Sequence, residues 1–300
     1  MKYFIIIILC LLLFSCSKTQ PDMLIIGLIK PSLNHLPVQY ALENIPGDYS
    51  AFQFEYFHSG WETNEALVAG RIDLAIMPFT YIWVDVSQGK KVKIISFFER
   101  ESDGIIASEQ FSSLEQLNDA RIGVLKNSTL EIIPEMVLNK KQLPLPEIIY
   151  FRTPMDMAVS LRSGEVDALS FYVPSIFSFP DNYKVIEWFS TTFPLHTCCN
   201  LAATEKALKL KKLLIQEFMD LLQKSITQFR DNNEKVISTA QNYYGLKRDD
   251  VIRSLEHTKY ITGLDKSGMD FEAEAAELML KKRYMSRKIR ADEVYYQIQP

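Results

Sequence analysis

Leu67-Val68-Ala69-Gly70-Arg71-Ile72-Asp73 returns as Leu161-Arg162-Ser163-Gly164-Glu165-Val166-Asp167, at an offset of 94 residues. Gly70 is placed to close a helix over Glu62 to Ala69, because glycine adopts the left-handed backbone without steric cost. Ile72 to Ile76 then reads as a buried strand stopped by Pro78. Working outward, Tyr56-Phe57-His58-Ser59 matches Tyr150-Phe151-Arg152-Thr153 at the same offset. Ile26-Gly27-Leu28-Ile29-Lys30-Pro31-Ser32 matches Ile122-Gly123-Val124-Leu125-Lys126-Asn127-Ser128 at an offset of 96. Three matches in one order and at nearly one spacing argue for two units of the same design.

Each unit has the same physical form. Met23 to Ile29 is a short apolar run ended by Lys-Pro-Ser, as expected of a buried parallel strand. A helix follows over about 36–44, with Pro37 near its first turn, and Phe52 to Phe57 is the second strand. Strand, helix, strand, helix, strand implies right-handed crossovers on a mostly parallel sheet. The second unit places its strands near 121–125, 147–151 and 166–171. Ser128-x-x-Glu131 has the form of a capping box, although Pro134 would suit a helix that starts there instead. Val92 to Phe98 and Ile105 to Ala107 are extended segments suited to a crossing between units, and Glu187 to Leu201 suits the return.

From Thr204 onward the pattern is helical. Leu210, Leu213, Leu214, Phe218, Leu221, Leu222 and Phe229 mark an apolar stripe, and further helices fit 234–244, 248–256 and 270–285. At 300 residues and 47% hydrophobic composition the chain has material for two cores. Its formal net charge of −4 gives no electrostatic footprint for nucleic acid.

The N-terminus speaks to compartment. Lys2 is followed by unbroken apolar sequence from Phe4 to Phe14, the form of a secretion signal and too short for the roughly 20 apolar residues of a membrane-spanning helix. Leu13-Phe14-Ser15-Cys16 resembles a bacterial lipobox, with Phe14 bulkier than usual at its position. Residues 1–15 are therefore expected to be a signal peptide, with Cys16 as the site of a palmitate-type lipid anchor and 16–22 as a tether. Apart from Cys10 and Cys16 the chain holds only Cys198 and Cys199, so no disulfide scaffold is expected. With no CxxC or HExxH spacing and scattered histidines, no metal is expected either.

The lipobox, Gly60-Trp61-Glu62, the two Gly-x-[Ile/Val]-Asp turns and Ile122-Gly123-Val124-Leu125-Lys126-Asn127-Ser128-Thr129 together resemble one family over about residues 23–295. It is the ABC-transporter binding proteins for nitrate, sulfonates, taurine and thiamine-pyrimidine precursors. The resemblance implies a two-lobed α/β, periplasmic-binding-protein-like fold of type 2. Lobe one would comprise 23–98 plus 202–300, lobe two 99–201, and the C-terminal helices would lie on lobe one. It implies an exported, membrane-anchored lipoprotein in the cell envelope, facing the periplasm or exterior. A small molecule would close between the lobes and pass to an ABC permease and its ATPase, without a cofactor; the chain is expected to be a monomer.

Ligands of open α/β sheets bind beyond the carboxyl ends of the strands. This selects Lys30, Ser32, His35, Ser59, Gly60, Trp61, Phe79 and Tyr81 in the first unit, and Lys126, Ser128, Thr129 and Tyr172 in the second. Helix starts at Ser59-Gly60 and Ser128-Thr129 could receive an anion on free backbone N–H groups, and the aromatic side chains could stack on a flat ring. With only Lys30, Lys126 and Arg152 as cations, an aromatic heterocycle or a sulfonate suits better than nitrate. Two other classes stay open: a biosynthetic enzyme of the same fold, resembling pyrimidine synthases, and a ligand-sensing lipoprotein. Against catalysis, no Ser-His-Asp ordering or glycine-rich phosphate loop is present.

Overall fold

A computed structural model describes residues 23–30, 32–231 and 233–298. The expected signal peptide, Cys16 and the whole tether to residue 22 lie outside the described residues. Among the described residues no helix is long and apolar enough to cross a membrane.

Eleven described strands form two sheets, each with helices on its faces. The first sheet holds β1 (Leu24–Ile29), β2 (Phe52–Phe57), β3 (Leu74–Pro78), β4 (Val92–Glu101), β10 (Thr197–Thr204) and β11 (Thr258–Gly263), in the order β11-β4-β10-β3-β1-β2. The second holds β5 (Asp103–Ser108), β6 (Arg121–Leu125), β7 (Glu147–Phe151), β8 (Ala168–Tyr172) and β9 (Tyr183–Trp188), in the order β7-β6-β8-β5-β9. β1 pairs parallel with β2 and β3, and β6 pairs parallel with β7 and β8, which is the repeated unit read from the sequence.

The sheets are mixed, which corrects the expectation of mostly parallel ones. β10 runs antiparallel to β3 and β4, and β5 runs antiparallel to β8 and β9. These are the crossing strands, which reach their neighbours without a crossover helix and so need not run parallel. The chain leaves the first sheet after Glu101, enters the second at Asp103 and returns between Trp188 and Thr197. Glu99–Glu101 and Thr197–Leu201, expected in lobe two, therefore lie in strands of the first sheet. At the outward crossing Glu101 and Ser102 both have φ of 66°, left-handed backbone that non-glycine residues seldom adopt.

Burial follows the patterns that predicted the strands. Leu24, Ile26 and Leu28 are fully buried, as are Leu74 and Ile76 beside them, and each such side chain contributes roughly 1.5–3 kcal/mol. In the C-terminal region the helix Lys212–Asp231 packs on the helix Leu36–Asn44 of the first sheet. Ile215, Phe218 and Leu222 form its buried face, whereas Leu210 and Leu213, expected in that stripe, are exposed. The region also contains β11, a strand where only helices were expected; it pairs with β4. The last long helix runs Lys266–Lys281 because Asp265 caps it, accepting from Gly268 N at 2.8 Å. That helix packs on Phe79–Ser87 of the first lobe and also on Thr129–Lys140 of the second.

Candidate functional site

The carboxyl ends of the two parallel triplets face one another across a cleft of about 530 Å³, open mouth included. From the first lobe it is lined by Ile29 at the end of β1 with Ser32 and Asn34 beyond it, His58, Ser59 and Gly60 after β2, and Pro78 at the end of β3 with Tyr81 beyond it. The second lobe contributes Leu125 at the end of β6 with Ser128, Thr129 and Leu130 beyond it, Pro154 after β7 and Tyr172 at the end of β8. Of the residues selected from the sequence, Ser32, Ser59, Gly60, Tyr81, Ser128, Thr129 and Tyr172 are thus brought together. The rule of strand carboxyl ends finds them because they sit at or just past those ends.

Five selected residues are placed elsewhere. The Lys30 ammonium lies 4.2 Å from the Tyr56 ring centre and 4.0 Å from that of Tyr243, a cation–π contact outside the cleft lining. His35 is fully buried beside Tyr244, with Nδ1 2.9 Å from Asn34 Oδ1. Burial, and secondarily Lys30, pushes its pKa down to about 3, so it is a neutral ring in the core. Phe79 is fully buried edge-on to Phe271. Lys126 reaches toward Tyr150, 5.8 Å from the ring centre. Trp61, expected in the cleft, is 59% exposed: Gly60 packs against Pro78 and Tyr81, and the next side chain of the helical turn points away.

The helix starts are capped in part by their own side chains. Ser59 Oγ accepts from Glu62 N, and the Glu62 carboxylate accepts from His58 N at 3.0 Å. Ser128 Oγ accepts from Leu130 N, and Glu131 accepts from Asn127 N at 2.7 Å. The helix therefore begins at Thr129 and carries Pro134 inside it, so the alternative start at Pro134 is not the one observed. Each start also has a glutamate in its first turn, which favours the positive helix end and leaves less for an anion to gain.

The floor of the cleft was not selected from the sequence. It consists of Glu99 at the end of β4, Ser102 and Asp103 at the outward crossing, and Cys198 and Cys199 at the start of β10. Neighbouring residues of a regular strand point to opposite faces. Here the register between β10 and β4 shifts on both sides of Cys199, and this irregularity brings both sulfurs to the cleft, 3.9 Å apart. Cys198 Sγ lies 3.6 Å from Thr129 Oγ1 of the other lobe, and Cys199 Sγ accepts from Asn34 Nδ2 at 3.6 Å.

Burial raises both acids. It carries Glu99 to about 8, reinforced by the neighbouring Asp103 and partly offset by Cys199 and Ser102, and it carries Asp103 to about 7. The hydrogen bond with Cys199, and then burial, holds the Cys198 thiol well above its ordinary value. No lysine or arginine lines this cleft among the described residues. A pair of buried, hard-to-ionise acids beside two thiols can accept from N–H donors, donate from a protonated carboxyl, or hold a cation once deprotonated.

No protein-family model and no curated protein matches the sequence. Solved structures do match the fold. The alkanesulfonate-binding protein SsuA from Xanthomonas axonopodis pv. citri, solved bound to MOPS, superposes with a TM-score of 0.80 at 17% identity, covering 92% of this chain and 99% of that one. A ligand-binding component of an ABC-type import system from Staphylococcus aureus, solved with zinc bound, gives 0.78 at 17% identity over 92% and 97%. The Candida albicans CA3427 gene product gives 0.72 at 14% identity over 89% and 92%, and is described as having the generic periplasmic binding protein structural fold. The two-lobed α/β architecture of this chain is therefore the periplasmic-binding-protein fold.

Proposed function

We propose that this chain is the extracytoplasmic solute-binding component of an ABC importer, which captures a small organic molecule between its lobes and delivers it to a permease and its ATPase. The observation that carries this is the cleft itself, walled by the strand ends of both repeat units and crossed beneath by two connecting segments. Hinge closure of two lobes on a ligand is the motion such an arrangement permits. Similarity of fold to an alkanesulfonate-binding protein and to the ligand-binding component of an ABC-type import system supports the same reading. In this proposal residues 1–15 are a signal peptide, Cys16 carries the lipid, and the protein works as a membrane-anchored monomer.

For the ligand, a neutral or cationic heterocycle with N–H donors, such as a thiamine-pyrimidine precursor, is favoured over a sulfonate. A sulfonate would meet no cation in the lining and only partly free helix starts, and ionisation of either floor acid would repel it. Tyr81 and Tyr172 offer ring surfaces from opposite lobes. A biosynthetic enzyme on this fold is the second reading, favoured by Glu99, a cleft acid raised to about 8.

A thermal-shift panel of thiamine precursors, riboflavin, taurine, aliphatic sulfonates and nitrate tests both levels. A ligand at 100 times its Kd adds about 2.7 kcal/mol to the folded state, on the order of 5–10 °C for a chain of this size. Solution scattering should show a smaller radius of gyration with the same ligand, which should be recovered unchanged. A shift with sulfonates and none with heterocycles overturns the ligand class. Conversion of a panel member into product favours the enzyme.

A further inference from the structure

We infer that the cleft floor is a binding site for a thiophilic divalent cation of the zinc class, held by the Sγ atoms of Cys198 and Cys199 and a carboxylate oxygen of Glu99. One donor atom from each of the three residues lies within 4.8 Å of the others, and all three residues are buried. The spacing of the sulfurs, which a thiol–thiol hydrogen bond also allows, fits such an ion. A tetrahedral ion with metal–sulfur bonds of about 2.3 Å holds its two sulfurs about 3.8 Å apart, against 3.9 Å here. A disulfide would need them at about 2.05 Å. The shifted register of β10 thus presents adjacent thiols as a chelating pair, which a regular strand would not do.

A second feature of the cleft points to the same occupant. Asp103 is 1% exposed and lines the same floor, and its Oδ2 has no hydrogen-bond partner among the described residues. An unsatisfied buried carboxylate oxygen is costly, and a cation beside Glu99 is the partner it lacks. Asp103 would complete a four-donor set directly or through a bound water. Asn34 and Thr129, each 3.6 Å from a sulfur, would orient the donors from behind. Binding converts each Cys–SH to a metal-bound thiolate and releases its proton to solvent, with no change of oxidation state. Thiolate donors select zinc or cadmium over magnesium or calcium.

The test is titration of the full chain in detergent with Cd²⁺ alone, read by thiolate-to-cadmium ultraviolet absorption. One equivalent should bind, Cys198→Ser/Cys199→Ser should lose the band, and Glu99→Gln should weaken binding at least tenfold. Magnesium in excess should not compete. On the unsubstituted protein, Zn²⁺ should protect Cys198 and Cys199 from iodoacetamide, as read by peptide mass spectrometry; this decides the matter if the double variant does not fold. An unchanged band in the double variant, or equal alkylation with and without Zn²⁺, overturns the proposal. No organic solute is present in these experiments, so their outcome is independent of the importer reading.

Discussion

The two repeat units use the same aspartate in the same way and neutralise it differently. In the first, Asp73 N donates to Ile25 O at 2.8 Å and Asp73 Oδ2 accepts from Ile25 N at 2.9 Å. In the second, Asp167 makes the same pair of bonds with Arg121, both at 2.9 Å. The preceding glycines have φ of 69° and 74°, so the turn that aims the aspartate at the first strand needs a residue without a side chain there. The cation beside Asp167 is Arg121 itself, whereas the cation beside Asp73 is Lys211 at 2.7 Å, from the C-terminal region. The second sheet is complete within one continuous stretch of chain, and the C-terminal region adds to that lobe by packing on the helix Thr129–Lys140. The first sheet is complete only when the chain returns to it.

That difference is sharpest at Glu272, a fully buried carboxylate on the last long helix. It accepts from Trp83 Nε1, Thr197 Oγ1, Asn200 Nδ2 and Tyr295 OH at 2.6–2.9 Å, tying β10 and the chain's last segments to the first lobe. Glu272→Ala should cost about 3–5 kcal/mol, because it strands four buried donors around an empty site. Urea unfolding measures the loss. Hydrogen exchange should show it in β1, β3 and β10 ahead of β6 to β8. Equal loss of protection in both sheets would break the contrast between a sheet closed by one stretch of chain and one that needs the chain's return.

A smaller effect separates the two aspartates. Asp73→Asn and Asp167→Asn should each cost about 1–2 kcal/mol, a charged acceptor's contribution discounted for partial exposure. Lys211→Ala should disturb only the first lobe and Arg121→Ala only the second. Hydrogen bonding from Arg121 holds the Asp167 carboxyl below its ordinary value of 3.8. Its contribution is therefore complete above that value and is lost as pH falls through the lower folded one. Acid titration of stability should lose this component in the parent but not in Asp167→Asn. A parent and variant with identical acid profiles would remove the ion pair from the account.

The smallest effect is expected at a pair that looks important in sequence. Trp61 and Met155 hold matching places in the two units, and both are exposed, at 59% and 76%. Trp61→Ala should change stability by less than about 0.5 kcal/mol, and solute affinity should stay within twofold. A tenfold loss of affinity with stability unchanged would return Trp61 to the cleft and revive ring stacking on it.

Much of the fold was legible because its signals are local. Gly70 and Gly164 announce helix ends, Ser59 and Thr153 cap the helices that follow β2 and β7, and the buried strands are short apolar runs. Errors arose where a neighbour distant in sequence decides the outcome. β11 forms because β4 offers it an edge, and Leu213 is exposed because the register of its helix against Leu36–Asn44 buries Ile215 and Phe218 instead. The site divides the same way. Ser59, Gly60, Ser128 and Thr129 were found from their place after a strand, whereas His35 and Phe79 pass the same test and are buried in packing that no local pattern records.

By itself the sequence determined two copies of one strand–helix unit and where their strand ends lie, since glycine conformation, capping and short-range apolar patterns act over a few residues. Only the tertiary structure decided what those ends enclose. Glu99 and Cys199 are a hundred residues apart and meet because β4 and β10 pair across the crossing. Both thiols line one cleft because that pairing shifts register at Cys199. The acids there are hard to ionise because two lobes, each legible alone, exclude water only where they close on one another.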